Sequence, residues 1–115
     1  MKQKVLDLLK ERHEINITEF PKLIPEAKGK YSIFMPVKQG INPNILWVNG
    51  VTEEFIDVFN ELLIDKRLIE WKPSNILMYI ADNSPIYTEI DLFKKKYLKK
   101  QIDCWLPITI ILKSK

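Results

Sequence analysis

The sequence predicts an α+β fold, and two patterns lead to that prediction. Apolar residues recur at helical spacing in residues 2–13 and again in residues 52–66. Further along, two runs rich in Ile, Tyr and Trp flank the turn-forming Lys72-Pro73-Ser74-Asn75, which is typical of a β-hairpin with strands 68–72 and 76–81. A chain of 115 residues predicts one domain, which can bury about two-thirds of its unfolded surface.

The N-terminal part of the chain is expected to alternate helix and strand. Residues 2–13 form the first predicted helix, and His13 lies at the edge of its apolar arc as a half-buried structural residue. Thr18 is placed to cap a short helix over 19–24, which Pro25 ends. A short strand is then predicted over 31–35, because Pro36 stops an apolar, aromatic run.

The segment 43–49 fits two structures. Asn42 is a good helix N-cap, Pro43 suits the first helical position, and Gly50 suits the residue just beyond a helix end. A strand over 45–48 is the alternative, since the residues there are apolar and partly β-branched. We favour the short helix.

The strongest helix prediction covers residues 52–66. Thr52 is its N-cap, and two glutamates lie in its first turn, where the helix dipole favours negative charge. Its predicted buried stripe consists of Phe55, Ile56, Phe59, Leu62 and Leu63.

After the predicted hairpin, Asn83-Ser84-Pro85 is expected to turn the chain. A short strand is predicted over 86–90, and Asp91 can cap a helix over 92–101. The last strand is predicted over 105–112, with Pro107 marking an edge or a bulge. Cys104, the only cysteine, lies in an apolar run and is expected to be a buried, inert thiol.

This order of elements, with the turn Asn49-Gly50-Val51-Thr52 before the long helix, resembles a winged helix-turn-helix domain. The resemblance covers residues 2–82, and residues 83–115 are then a C-terminal extension. It implies a winged helix-turn-helix variant with an appended C-terminal helix and strand. In such domains the helix after the turn usually enters the major groove of DNA, and the hairpin touches the backbone.

The outward face of the 52–66 helix has the wrong charge for that role. It carries five carboxylates and one amide, namely Glu53, Glu54, Asp57, Asn60, Glu61 and Asp65. Duplex DNA is itself densely negative, and readers of the major groove present Arg, Lys, Asn or Gln. The face is therefore either a solvated acidic surface or a docking surface for a basic partner, formed by Glu53, Glu54, Asp57 and Glu61.

Positive charge is concentrated in the segment 91–102. As a helix, this segment places Lys95, Lys96, Lys99 and Lys100 on one face. That face is either solvated or contacts phosphates. Arg67 and Lys72 can assist it. If aromatic side chains are exposed nearby, bases can stack on them while lysines follow the phosphates, which is how single strands are bound without sequence readout.

Trp71, Tyr79 and Tyr97 are the candidate stacking residues. Burial of the hairpin aromatics is the competing expectation, because both faces of the predicted hairpin are partly apolar and the last strand can cover one of them. Tyr97 also lies on the core side of its predicted helix, opposite the lysines.

The chain is also similar in size, in its 16 lysines and 17 isoleucines, and in element order to small winged-helix-like proteins of bacterial mobile elements, including the staphylococcal cassette chromosomes. "NGVTEEF" and "WKPSNILMYIADNS" are the stretches on which this similarity rests. It implies DNA replication as the setting, with single-stranded DNA binding or a subunit role beside a polymerase. It transfers no site residues.

Catalytic machinery is not expected. His13 is the only histidine, the three glycines are isolated, and no Cys/His cluster has metal-binding spacing. We therefore expect a non-enzymatic, cytoplasmic protein without cofactor, metal or membrane partner. It is expected to bind single-stranded DNA with little sequence preference, and the alternatives are a protein-binding subunit of a polymerase or helicase and a duplex-binding transcriptional regulator. The net charge of +3 permits attraction to polyanions without requiring it.

Overall fold

Residues 1–81 and 86–113, without the Met78 side chain, are described by the computed structural model and contain four α-helices and seven strands. The helices are α1 (Lys2–Arg12), α2 (Phe20–Leu23), α3 (Glu53–Asn60) and α4 (Ile76–Ala81). The strands are β1 (Glu14–Asn16), β2 (Lys28–Phe34), β3 (Ile45–Val51), β4 (Ile69–Pro73), β5 (Asp91–Leu92), β6 (Cys104–Trp105) and β7 (Ile108–Leu112). The predicted α+β class is therefore confirmed.

The strands form two sheets. Sheet A is antiparallel, with the order β1-β7-β4, so the C-terminal strand lies between two strands from earlier in the chain. Sheet B is mixed, with the order β2-β3-β6-β5, in which β3, β6 and β5 run parallel. Within the described residues, no helix is long and apolar enough to cross a bilayer.

The main core is built around Trp47 of β3. Its ring meets Phe59 of α3 nearly edge-on, with centroids 6.1 Å apart, and Trp71 of β4 at 5.0 Å. Such arrangements add about 0.5–1.5 kcal/mol per pair beyond the area they bury. The same core includes Leu9 of α1 and Ile110 of β7, so α1, α3 and both sheets share one apolar interior.

The helix predicted over 52–66 is confirmed. The Thr52 Oγ1 accepts a hydrogen bond of 3.1 Å from the backbone N–H of Phe55, as expected of an N-cap. Beyond Asn60 the helix widens into a π-helical turn over Glu61–Asp65. Phe55, Phe59 and Leu62 are buried, and the remaining members of the predicted stripe are partly buried.

The short helix predicted over 43–49 is wrong, and the alternative strand is correct. Residues 45–48 are all buried because β3 is an interior strand, with β2 on one side and β6 on the other. Strands buried on both faces read as continuous apolar runs rather than as alternating ones. The Asn42 side chain does not cap a helix and instead donates hydrogen bonds to the carbonyl oxygens of Tyr97 and Ile102.

The predicted hairpin is also wrong, because its second strand is α4. The Asn75 side chain accepts a 2.9 Å hydrogen bond from the Leu77 backbone, and the Asn75 carbonyl accepts one of 2.9 Å from Tyr79. The first strand exists as β4 but pairs with β7. An uninterrupted apolar run does not distinguish a buried strand from a helix. Here the side chain of Asn75 caps the run and favours the helix.

The C-terminal region differs most from expectation. The predicted strand over 86–90 does not form, and Asp91–Leu92 is a strand rather than a helix start. In place of a helix over 92–101 there is one 3-10 turn, Lys95–Tyr97. A helix of about ten residues is marginal in water without packing, and adjacent lysines repel one another. The strand predicted over 105–112 is interrupted at Leu106 and Pro107, which separate β6 from β7. The turn predicted at 83–85 lies outside the described residues.

Two smaller expectations in the N-terminal region fail. The helix predicted over 19–24 forms as α2, but Thr18 is buried, and the cap is Asn16, which begins a 3-10 turn over Ile17–Glu19 in a capping box with Glu19. His13 is exposed rather than half-buried, and it ends α1 with a φ of 68°. The helix over 2–13 and the strand over 31–35 are confirmed, as α1 and β2.

Candidate nucleic-acid interface

The lysine segment, residues 94–100, is the most cationic part of the described surface. It contains five lysines within seven residues and no carboxylate. All five lysine side chains are exposed, and among the described residues no ion pair within 4.0 Å involves any of them. Lys95, Lys96, Lys99 and Lys100 thus stay close in sequence and reach solvent, although no helix aligns them.

Asn42 fixes the backbone of the lysine segment. This side chain is 2% exposed, and its amide nitrogen donates to the carbonyl oxygens of Tyr97 (3.1 Å) and Ile102 (2.7 Å). The Asn42 backbone N–H donates to the carbonyl of Leu98 at 2.7 Å, while the side-chain oxygen accepts from the backbone of Asn44 at 2.9 Å. One buried amide therefore ties the segment to the loop between β2 and β3.

Tyr97 anchors the segment from within. Its ring packs with Ile45 and Cys104 on one face of sheet B and is only 7% exposed, so the predicted base-stacking role of Tyr97 is wrong. Its hydroxyl donates to Asp91 at 3.1 Å, and burial together with that carboxylate raises the pKa of Tyr97. The ammonium of Lys96 lies 5.7 Å from the ring centroid, within range of a cation–π contact.

Cys104 lies beneath the lysine segment. It is fully buried, and burial followed by the nearby carboxylates of Asp103 and Asp91 raises the pKa of its thiol. The predicted burial of Cys104 is therefore confirmed. A thiol that is buried and protonated is a poor nucleophile, which is the physical reason to expect it to be inert.

The other predicted contributors belong to β4 of sheet A, to the loop before it, or to α4, which packs on sheet B through Tyr79. Lys72 of β4 is exposed and forms a 2.8 Å ion pair with Glu14. Trp71 is half-buried against Trp47, and Tyr79 is fully buried, so Tyr79 is not available for stacking. Arg67 is exposed and holds a φ of 51° after the π-helical turn.

The acidic face of α3 is present as predicted. Glu53, Glu54 and Asp57 are exposed. Glu61, in the π-helical turn, is partly buried and pairs with Lys2 at 3.0 Å. The solvent side of α3 is therefore negatively charged.

Sequence reasoning missed an apolar row across sheet B. The strand register places Phe34 beside Leu46, Leu46 beside Trp105, and Trp105 beside Leu92, so one side chain from each strand lies on the same face. The middle pair is covered by Tyr79 and neighbouring residues, while the two ends are 49% (Phe34) and 39% (Leu92) exposed. Phe34 is therefore an exposed aromatic at the edge of sheet B.

The residues after Phe34 connect its strand to the lysine segment, which lies on the other face of sheet B. The next residue, Met35, packs into the cluster of Ile45 and Tyr97 on the opposite face of the sheet. The exposed Lys38 follows in the same loop, whose Asn42 binds the segment. The signal for this site in the sequence was the run Lys28 to Lys38, which combines three lysines and two aromatic residues with no carboxylate.

Among residues 1–81 and 86–113, no group of three or more His, Cys, Asp or Glu side chains is placed to hold a metal ion. The buried polar cluster at the end of sheet A, formed by Asn16, Ser74 and Thr109, satisfies its own hydrogen bonds at 2.8–3.1 Å. No protein-family model, curated protein or solved structure matches this chain significantly.

Proposed function

We propose that the protein binds single-stranded DNA with little sequence preference and has no enzymatic activity. The observation that carries the proposal is the lysine segment, which presents five exposed lysines on a backbone held by a buried asparagine. Each phosphate that a lysine neutralises releases condensed counterions, and this is the main source of non-specific affinity for nucleic acid.

A single strand fits this surface better than a duplex does. The acidic face of α3 repels a duplex, and the lysine segment is an irregular turn rather than a helix that could lie in a groove. Phe34 replaces Tyr79 and Tyr97 as the candidate stacking residue, since it is half-exposed on the edge strand β2, whose following loop holds the segment. A stacked base contributes about 1–3 kcal/mol.

The proposal also covers the type of fold and the cellular process in which the protein acts. We assign the chain to the winged helix-turn-helix variants of bacterial mobile elements, acting in the cytoplasm during DNA replication. In support, the antiparallel strands β4 and β7 both come after α3 in the chain, as a wing does in such domains. Against the resemblance, the predicted wing strand is α4, and the turn predicted before the long helix is the end of β3, which runs to Val51.

Fluorescence anisotropy with labelled single-stranded and duplex oligonucleotides over a salt series tests the function. We expect the single strand to bind more tightly, with a logarithmic salt slope of about −0.7 for each phosphate contacted. Tight duplex binding confined to one sequence would instead support a transcriptional regulator. Absence of binding to either form would overturn the proposal.

Charge reversal of the lysine segment gives the first mutational prediction. Replacing Lys95, Lys96, Lys99 and Lys100 by Glu is expected to abolish single-strand binding without unfolding the protein, because all four side chains are exposed. The matched control replaces Glu53, Glu54 and Asp57 of α3 by Lys, which changes the net charge in the opposite direction at a site outside the interface. Anisotropy measures affinity, and circular dichroism confirms the fold.

An unchanged affinity in the four-lysine variant would remove the segment from the interface. If, instead, the α3 variant gained as much affinity for single strands as the four-lysine variant lost, net charge alone would explain binding.

A second candidate function is supported by a separate observation. Leu77 and Ile80, three residues apart on α4, are 74% and 47% exposed and offer an apolar protein-binding surface, while the acidic face of α3 is the alternative docking surface. A subunit that docks on a replication polymerase or helicase is the partner class in question. Retention of the protein on an immobilised polymerase or helicase, lost on replacing both residues by Ser, would favour this function.

A further inference from the structure

A small cationic cavity lies at the C-terminal end of the lysine segment. Its volume is about 220 Å³, and its walls are the loop residues 40–43 on one side and residues 99–101 on the other. Pockets for drug-sized ligands occupy about 300–1,000 Å³, so this cavity is smaller than those. The cavity therefore suits one small charged group with a few waters, and not a whole nucleotide.

The charge of the lining selects an anion. Lys99 and Lys100 are the charged residues among those described as lining the cavity, which also include Gln101 and no carboxylate. A cleft of similar size, about 280 Å³ beside β1, differs because Glu14 and Glu19 line it together with Lys72. An anion would meet repulsion in that cleft but not in the cavity beside Lys99.

The cavity is also preorganised. The hydrogen bonds from Asn42 to Tyr97 and Ile102 join its two walls, so that their separation is fixed before any ligand arrives. Gly40 turns the loop with a φ of 89°, a conformation that residues with a Cβ rarely adopt, and no atom lies within 4 Å of where its Cβ would be. The space beside Gly40 is thus open.

We propose that this cavity, the end-phosphate pocket, binds the terminal phosphate of a DNA single strand, an inference that rests on the proposed single-strand binding. A phosphomonoester carries about 1.5 to 2 negative charges at neutral pH, whereas each internal phosphodiester carries one. Two ammonium groups beside a small cavity therefore favour the end of a strand over its middle. The rest of the strand then lies along Lys94, Lys95 and Lys96.

The test compares three labelled thymidine oligonucleotides of equal length, bearing a 5′-phosphate, a 3′-phosphate or no terminal phosphate, with the label at the opposite end. We expect one phosphorylated form to bind about tenfold more tightly than the unphosphorylated form, as a charge-assisted contact predicts. The form that gains affinity identifies which end of the strand the pocket takes. Equal affinity of all three forms would overturn the end-phosphate pocket while leaving single-strand binding intact.

Two double variants test whether the preference for a phosphorylated strand end arises from the end-phosphate pocket. Lys99→Gln with Lys100→Gln is expected to abolish the difference between the phosphorylated and unphosphorylated forms. The matched control, Lys95→Gln with Lys96→Gln, removes the same charge and is expected to weaken all forms while keeping the difference. The same loss of preference in both variants would overturn the assignment, since the effect would then be general electrostatics.

A measurement without DNA separates the pocket from the proposed function. On titration of the isotopically labelled protein with inorganic phosphate, we expect NMR shift changes concentrated at the amides of residues 40–42 and 99–101. If these changes occur although no oligonucleotide binds, the pocket stands and the single-strand function fails. If no amide near the cavity moves, the pocket is refuted whatever the oligonucleotides do.

Discussion

At the scale of single residues, burial decides which of the chemically suggestive side chains can act. Tyr79 and Tyr97 have rings suitable for stacking, yet both lie in the interior and serve as packing and hydrogen-bonding groups. The lysines kept their predicted exposure because a charged ammonium is costly to bury under any fold. Phe34 was not predicted as a site residue, and it is exposed because β2 lies at the edge of its sheet.

Tyr79 gives a prediction about pH. Burial raises its pKa to about 12, against an ordinary value of 10.0, although a hydrogen bond with Thr18 acts in the opposite direction. As pH rises above about 10, the unfolded chain loses the proton while the folded protein keeps it, so the folded state is progressively destabilised. Stability from this group is complete below pH 10, and roughly 2–3 kcal/mol is lost once pH passes 12.

Urea unfolding at several pH values between about 8 and 12 measures this loss. Tyr79→Phe, which cannot ionise, is expected to unfold about 1 kcal/mol more easily at neutral pH, because it lacks the hydroxyl, and to show a shallower alkaline decline. Part of the decline stays, since burial also raises the pKa of Tyr87 and Tyr97. Identical slopes in the two proteins would contradict the burial of the Tyr79 phenol.

At the scale of elements, polar residues with two possible roles explain the wrong predictions. The sequence around Asn42 resembles a helix start, but the amide instead joins the loop before β3 to the lysine segment 55 or more residues later in the chain. Conversely, Asn75 was expected in a hairpin turn and caps α4. A side chain that can bond to any nearby backbone group does not reveal from sequence which group it will find.

Asn42→Asp tests the joint between loop and segment. The carboxylate keeps an acceptor for Asn44 but cannot donate to Tyr97 or Ile102, so we expect unfolding free energy to fall by about 1–3 kcal/mol. Trypsin is expected to cleave within the released lysine segment faster than in the original protein. Denaturant titration and mass spectrometry of the digest measure both effects.

Asn60→Asp is the matched control, since it makes the same chemical change at an exposed position of α3. Its stability is expected to change by less than about 0.5 kcal/mol. Similar effects of the two substitutions would show that added charge, rather than lost donors, destabilises the first variant.

At the scale of the whole molecule, the last strand is central to the fold. β7 pairs with β1 on one side and β4 on the other, and Ile108 and Ile110 are fully buried in the main core. The resemblance to a winged-helix domain, by contrast, implies a folded core within residues 2–82. If β7 is essential, residues 2–82 cannot fold by themselves, whereas the winged-helix resemblance implies that they can.

We expect the fragment of residues 1–82 to be unfolded by far-UV circular dichroism and amide NMR, because β1 and β4 lose the strand between them. Co-expression with residues 83–115 is expected to restore the folded spectrum, which distinguishes a missing strand from a general failure of the fragment. A cooperatively folded 1–82 fragment would show that β7 is dispensable.

The sequence by itself determined the elements with a strong local signal and the surface charge. α1 and α3 follow from helical periodicity and a good cap, and the separation of the acidic α3 face from the lysine segment follows from charges that must stay in water. Tertiary structure alone decided β3, α4, the short parallel strands β5 and β6, and the cavity beside Lys99. These depend on partners far away in the chain, because an apolar run becomes strand or helix, and a loop becomes one wall of a site, only through what packs against it.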